Sequence, residues 1–176
     1  DLLRSCGEVI QVIDPQAGEL ESGMDGVHAI VAGREPITKV HMAASPDLKV
    51  IGRFGAGVDN LDIASADQFG ITILNTPGAN SQTVAEHTFA LLLGITHQIN
   101  KADNSVRNSG FKLQNHLMSM ELKGKTLGIV GLGSIGRKVA QIGNRGFGMN
   151  ILVHTRSPCS ERFADWGIKG RYAPLE

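Results

Sequence analysis

The chain has 176 residues, of which 41% are hydrophobic and 19% charged, and its formal net charge is zero. This balance is typical of a globular protein and provides no electrostatic footprint for nucleic acid or for an anionic membrane surface. No apolar stretch approaches the ~20 residues that a membrane span needs. Cys6 and Cys159 have neither the spacing of a metal site nor a disulfide framework, which favours a reducing, cytoplasmic setting and predicts no bound metal.

The first half of the chain alternates short apolar runs with more polar segments. The apolar runs predict strands over residues 27–31, 48–51 and 71–74. A helix is predicted over residues 62–69, closed by Gly70 as a C-terminal cap. Alternating strands and helices indicate a parallel sheet covered by helices.

A single long helix is predicted over residues 81–107. Ser81 or Thr83 can cap its start. Its first half is apolar nearly all round, which predicts a buried helix, and its second half is polar. Such a helix can begin in one domain and end against another, so we place the domain boundary at residue 97, with a crossover over residues 104–125.

Gly131, Gly133 and Gly136 have the spacing of a dinucleotide-binding fingerprint. A bare match is weak evidence in a chain with 22 glycines. Here, however, an apolar run at residues 126–130 precedes the glycines, an amphipathic helix follows them, and another apolar run comes at residues 151–153. This order of strand, turn, helix and strand is the βαβ unit that the motif requires.

Each glycine of the fingerprint has a separate physical role. Gly131 allows the tight turn, Gly133 lets the backbone approach a pyrophosphate, and Gly136 lets the helix lie close to its strand. The helix begins near Ser134, so its free N–H groups and positive dipole end face the phosphates. A structural glycine turn in another α/β protein is the alternative. The predicted core-facing residues of this helix are Ile135, Val139 and Ile142.

Three segments together resemble the D-isomer-specific 2-hydroxyacid dehydrogenases, and most closely the phosphoglycerate dehydrogenase-like members, which include hydroxypyruvate and glyoxylate reductases. They are LKVIGRFGAGVDNLDIASADQFGITILNTPGANSQTVAEHTFALLL, ELKGKTLGIVGLGSIGRKVA and GFGMNILVHTR. The resemblance implies an α/β fold of two doubly wound parallel-sheet domains. Residues 1–97 would form most of a flavodoxin-like substrate-binding domain, and residues 98–176 the first half of a Rossmann nucleotide-binding domain.

The resemblance also implies an activity, which is hydride transfer between NAD(P)(H) and C2 of a small D-2-hydroxy or 2-keto acid such as hydroxypyruvate or glyoxylate. Alternatives are D-3-phosphoglycerate dehydrogenase of serine biosynthesis and, from another class, a nucleotide-sensing corepressor. The family's catalytic His, Glu and Arg are expected beyond residue 176. We also expect both ends of the chain to be incomplete, because it begins in the tail of a helix and stops where a strand and a new helix start. A homodimer through the nucleotide-binding domains is expected.

The resemblance places substrate ligands after the second strand. The N–H groups of Ala56 and Gly57 would bind the substrate carboxylate as an anion-binding nest, unless the glycines there serve only the turn. Arg53 follows a buried run and is a candidate for a further substrate anion. Asn80 would point toward the substrate and the nicotinamide. Two further polar residues are interpreted as helix caps, namely Asp59 and Asn60.

The implied cofactor-binding residues are Thr83, Val84, Gly131, Gly133, Ser134, Ile135, Gly136, Thr155, Arg156 and Ser157. NAD-binding members carry an acidic residue about 20 positions beyond the fingerprint, which holds the ribose 2′-hydroxyl. Here Thr155, Arg156 and Ser157 stand instead, and Arg156 can pair with a 2′-phosphate. The sequence therefore favours NADP(H) over NAD(H). The alternative is that Arg156 stacks on adenine with either cofactor.

Overall fold

The computed structural model describes residues 2–10, 24–109, 117–158 and 161–174. The chain divides into two compact units, Asp1–Pro77 and Gly78–Glu176. Within the described residues each unit contains a three-stranded parallel sheet with helices, which confirms the predicted α/β class. Residues 11–23, Cys159 and the last two residues are among those that lie outside the described part of the chain. No helix in the described part of the chain is long and apolar enough to cross a membrane.

The first unit has its strands side by side in chain order, all parallel. Its elements are β1 (Ala29–Ala32), α1 (Lys39–Ala43), β2 (Val50–Arg53), α2 (Ile63–Gln68) and β3 (Thr72–Asn75). The three predicted strands are all present, each starting one or two residues later than expected. Ala32, Arg53 and Asn75 are paired across the sheet. The carboxyl ends of the three strands therefore meet at one edge.

Helix α2 is the helix predicted over residues 62–69. Asp62 caps its start, because its carboxylate accepts hydrogen bonds from the Ser65 N–H at 3.0 Å and the Ser65 hydroxyl at 2.7 Å. Gly70 has a φ of 66°, a left-handed conformation that ends the helix as predicted. Against the sheet packs an apolar core, which consists of Ala32, Ile37, Met42, Leu48, Ile51, Leu61, Ala66 and Ile71.

The second unit is built around the predicted βαβ pattern. Its elements are α3 (Ser81–Thr96), α4 (Ile99–Ser109), β4 (Thr126–Val130), α5 (Ser134–Gln141), β5 (Asn150–His154), α6 (Glu161–Asp165) and β6 (Gly170–Tyr172). Its strands are parallel in the order β4-β5-β6. A π-helical turn, Ile142–Gly146, continues α5. Gly148 then takes a φ of 64°, a left-handed conformation that follows the end of the helical segment.

The helix predicted over residues 81–107 is in fact two helices. Gln98 has a φ of 51° between α3 and α4. The segment after α4 stabilises this break, because the Gln98 side chain donates to the Met118 carbonyl at 2.6 Å and the Met120 N–H donates to the Thr96 carbonyl at 2.9 Å. These partners are about twenty residues away, so local periodicity gives no sign of the break. The predicted cap is also wrong, since Asn80 occupies the N-cap position and its side chain makes no capping hydrogen bond.

Helix α3 packs within the second unit. Ala85 and Phe89 are buried in its core, and the Phe89 ring stacks on Phe147 at a centroid distance of 5.0 Å. The two compact units therefore divide after Pro77, so this helix belongs to the second unit, whereas the boundary predicted at residue 97 would leave it in the first. The prediction of an apolar helix buried on all sides is wrong for one side, where Leu91 is 57% and Ile95 75% exposed.

Candidate active site

The turn between β4 and α5 has the geometry predicted for a dinucleotide fingerprint. Gly131 has a φ of 92°, and its N–H donates to the His154 carbonyl of the neighbouring strand at 2.8 Å. A Cβ at Gly136 would clash with the carbonyl oxygen of Gly131, so only glycine allows α5 to lie this close to the turn. The structural roles predicted for these two glycines are confirmed.

Gly133 leaves open space where α5 begins. It is the N-cap residue of α5, and a Cβ built on it would have no other atom within 4 Å. The first N–H groups of a helix have no acceptor inside the helix. They therefore point out of the start of α5 together with the positive end of the helix dipole. A phosphate group can approach this backbone without meeting a side chain.

A cleft of about 500 Å³ lies along β4 and the start of α5. Its lining residues are Thr88, Leu127, Gly128, Ile129, Val130, Gly131, Gly133, Ser134, Ile135, Gly136 and Val139. Five of the predicted cofactor-binding residues are thus brought together. Ile135, which was predicted to bind the cofactor although its spacing also suits the core face of the helix, is 39% exposed and lines the cleft.

Thr88 is one of six lining residues that were not predicted to bind the cofactor. It lies four residues after the predicted Val84, and its hydroxyl donates to the Val84 carbonyl at 2.9 Å. Residues four apart share one face of a helix, so this spacing was a signal that could have found it. Thr83 is exposed and Val84 half-buried, and neither lines the cleft.

The predicted 2′-phosphate residues follow β5 directly. Val130 and His154 are paired at the ends of β4 and β5, so the chain beyond His154 starts at the same sheet edge as the glycine turn. Thr155 is half-buried there, and Arg156 and Ser157 are exposed. The first carboxylate after β5 is Glu161. This edge therefore carries a cation and no acidic side chain in the positions that follow the strand.

A second glycine turn, residues 54–57, follows β2 in the first unit. The Thr76 N–H donates to the Gly55 carbonyl at 3.0 Å, and the Asn75 side chain donates to the Ala56 carbonyl at 2.8 Å. Ala56 and Gly57 are exposed, and their own N–H groups have no acceptor among the described residues. The Asp59 carboxylate, also exposed, lies beside Gly57.

Arg53 folds back over this turn. Its side chain is half-buried and donates to Asn60 Oδ1 from Nε at 3.2 Å and to the Phe54 carbonyl from Nη1. Asn60 in turn donates to the Glu35 carbonyl at 2.8 Å. The interpretation of Asn60 as a helix cap is wrong, because it joins the loops that follow β1 and β2, and the N-cap of α2 is Asp62.

The substrate residues expected from sequence fall into two groups. Arg53, Ala56 and Gly57 share one turn of the first unit. Asn80 is exposed and belongs to the second unit, at the start of α3.

Each of the two units has a parallel sheet with helices, and the second has a glycine-rich βαβ turn beside an open cleft. These features define the class of protein. The model of the family described as D-isomer specific 2-hydroxyacid dehydrogenase, catalytic domain, matches residues 1–161. The chain therefore belongs to the D-isomer-specific 2-hydroxyacid dehydrogenase family, as its motifs indicated.

Curated relatives carry two different names. The chain is 38% identical over 140 residues to D-3-phosphoglycerate dehydrogenase of Archaeoglobus fulgidus, which covers 80% of the chain and 26% of the relative. It is 41% identical over 136 residues to glyoxylate reductase of Aeropyrum pernix, which covers 74% of the chain and 40% of the relative. The chain thus spans well under half the length of these relatives.

Solved structures agree on the fold. The TT0316 protein of Thermus thermophilus matches with a TM-score of 0.83 at 30% identity, over 90% of the chain and 53% of that protein. D-Lactate dehydrogenase from Aquifex aeolicus, complexed with NAD and lactic acid, matches at 0.73 and 26%, over 87% and 45%. An acyclic imino acid reductase in complex with NADPH matches at 0.71 and 27%, over 89% and 50%. Structures of this fold therefore include both an NAD and an NADPH complex.

Proposed function

We propose that the chain serves hydride transfer between a nicotinamide cofactor and C2 of a small D-2-hydroxy or 2-keto acid, with hydroxypyruvate or glyoxylate as the substrate. The observation that carries this proposal is the open cleft at the β4–α5 turn, where Gly133 leaves the backbone accessible. Family membership supports the reaction class. The cofactor supplies or accepts the hydride when it is bound.

In this proposal the residues of the chain bind and orient the cofactor and the substrate. The free N–H groups at the start of α5 hold the pyrophosphate, and Ile135 and Thr88 provide the wall of the cleft. The N–H groups of Ala56 and Gly57 hold the substrate carboxylate.

We favour NADP(H) as the cofactor. Arg156 is exposed directly after β5, and no acidic residue precedes Glu161 to hold a 2′-hydroxyl or repel a 2′-phosphate. A guanidinium can bind a phosphate through two parallel hydrogen bonds. NAD(H) is the alternative, with Arg156 stacked on adenine.

D-3-Phosphoglycerate is the second candidate substrate, and Arg53 is the observation that favours it. Its guanidinium packs on Gly55, within the turn that would hold the carboxylate. A substrate with a second anionic group would find a cation there, whereas glyoxylate carries no second anion. Competition between D-3-phosphoglycerate and D-glycerate for the chain separates the two candidate substrates. Tighter binding of D-3-phosphoglycerate would favour the phosphorylated substrate, because only that compound carries the second anionic group.

We also propose a homodimer formed through the second unit, in the cytoplasm. Leu91 and Ile95 lie one turn apart on α3 and are 57% and 75% exposed, and Met118 next to the end of α3 is 83% exposed. An apolar surface of this kind favours a protein partner. Sedimentation velocity should give a dimer for the native chain and a monomer for Ile95→Lys. The matched control Ile63→Lys, exposed on α2, should leave the mass unchanged.

Nucleotide binding by the chain itself tests the proposed function. Saturation-transfer difference NMR should detect NADPH bound to the native chain and no NADPH bound to Gly133→Ala. The added methyl group fills the approach to the start of α5 but meets no protein atom, so the variant should keep its circular dichroism spectrum. Equal NADPH signals from both proteins would contradict the proposal.

A further inference from the structure

In the turn after β2, two peptide planes are each held by a hydrogen bond to the carbonyl oxygen, and both donors lie on the same side of the turn. The carbonyl of Gly55 accepts from the Thr76 N–H at 3.0 Å, and the carbonyl of Ala56 accepts from the Asn75 side chain at 2.8 Å. Both donors lie at the end of β3, which pairs with β2 up to Asn75. Both carbonyls therefore point toward the end of β3.

The orientation of the carbonyls fixes the orientation of two N–H groups. In a trans peptide the N–H points opposite to the carbonyl of the same plane, and the described chain contains no cis peptide bond. The Gly55 carbonyl shares its plane with the Ala56 N–H, and the Ala56 carbonyl shares its plane with the Gly57 N–H. Both N–H groups therefore point away from β3, and neither has an acceptor among the described residues.

The two planes differ in what holds them. A backbone N–H holds the first plane, and it remains after any substitution of Thr76 other than proline. A side chain holds the second plane. The hydrogen bond from Asn75 also polarises this peptide, which strengthens its N–H as a donor.

We propose that Asn75 is a positioning residue for the substrate carboxylate, which acts by fixing the peptide plane that aims the Gly57 N–H. This inference rests on the proposed function, in which the N–H groups of Ala56 and Gly57 bind that carboxylate. Asn75 itself does not contact the substrate. Its side chain approaches the turn from the side of the carbonyls, opposite to the N–H groups.

The experiment uses the ¹⁵N-labelled chain and follows its amide resonances during titration with D-glycerate. In the native chain the Ala56 and Gly57 resonances should shift together. In Asn75→Leu, which is close in size but has no donor, the apparent Kd, which both amides share, should weaken about fivefold, the effect expected for one hydrogen bond. At saturation the shift of Gly57 should be lost, whereas the shift of Ala56 should remain, because the Thr76 N–H still holds its plane. Thr76→Ala is the matched control and should titrate like the native chain.

The outcomes separate the inference from the function on which it rests. If neither amide of the native chain responds, the proposed carboxylate site fails and the inference fails with it. If the native chain responds and Asn75→Leu keeps the native Kd and the native shifts at both amides, only the inference is overturned. Equal loss of the saturating shift at both amides in Asn75→Leu also overturns it, because Asn75 then supports the whole turn rather than one plane. Asn75→Ser provides the same comparison if the leucine variant does not fold.

Discussion

The turn after β4 and the turn after β2 each follow a parallel strand at its carboxyl end, and each is proposed to bind an anion. They are held by different means. The β4 turn depends on steric fit, because Gly136 brings α5 against the Gly131 carbonyl. The β2 turn depends on hydrogen bonds from Asn75 and Thr76 at the end of the neighbouring strand.

This difference determines how each turn should respond to substitution. A turn held by close packing has no room for a methyl group at the point of contact, which is Gly136, and it is insensitive to polar changes nearby. A turn held by hydrogen bonds loses its orientation when a donor or acceptor is removed.

Gly136→Ala should have the largest effect. The new Cβ meets the Gly131 backbone and comes within 3.3 Å of Ile129 Cγ2, so α5 must move from the sheet. We expect a loss of about 2–3 kcal/mol in the free energy of unfolding. The only tryptophan, Trp166, lies in this unit and reports its unfolding in urea. Gly133→Ala should change the free energy by less than about 0.5 kcal/mol, and equal losses in the two variants would contradict the steric account.

Arg156→Ala should weaken NADPH binding about tenfold and NADH binding much less, since a charge-assisted pair contributes roughly 1.5 kcal/mol or more. Competition between the two nucleotides in saturation-transfer NMR measures the ratio directly. The same loss for both nucleotides would indicate that Arg156 stacks on adenine and does not bind the 2′-phosphate.

Asn60→Ala should destabilise the first unit by about 1 kcal/mol. The variant loses the hydrogen bond from Arg53 Nε and the bond to the Glu35 carbonyl. Amide hydrogen exchange in β2 provides the measurement. Asp59→Ala, at the adjacent exposed position, should exchange at the native rate, and comparable effects at both positions would refute the role given to Asn60.

Asp62 should produce the smallest effect, a loss of stability at acid pH. The hydrogen bonds from the Ser65 hydroxyl and the Ser65 N–H lower the pKa of Asp62 below its ordinary value of 3.8. A lowered pKa means that the carboxylate stabilises α2 fully above pH 3.8, and that this contribution is lost as the pH falls through the folded pKa. The Ser65 amide resonance should therefore titrate with a midpoint below 3.8. A midpoint at or above that value would contradict the cap.

The sequence predicted the parts of the fold that depend on local pattern. Glycine spacing and the flanking apolar runs located β4, α5 and β5, because the roles of Gly131 and Gly136 follow from backbone geometry alone. The break at Gln98 and the bridge made by Asn60 were missed. Both depend on distant partners, Met118 for Gln98 and Glu35 for Asn60, which are 20 and 25 residues away. No local pattern encodes such contacts.

The candidate site divides in the same way. The residues at the start of α5 could be identified from their spacing, whereas Thr88 lines the cleft because α3 packs within the second unit. The proposed role of Asn75 was not visible in the sequence at all. It follows from the register of β3 with β2, which only the structure provides.

One measurement tests the central claim, that the two turns bind different parts of the reacting complex. The ¹⁵N-labelled chain is titrated first with NADPH and then with D-glycerate, and the shifting amides are mapped onto the sequence. The account predicts two separate sets, residues 131–136 with NADPH and residues 55–57 with D-glycerate. If both ligands shift the same amides, or if NADPH leaves residues 131–136 unchanged, the assignment of the two turns is contradicted.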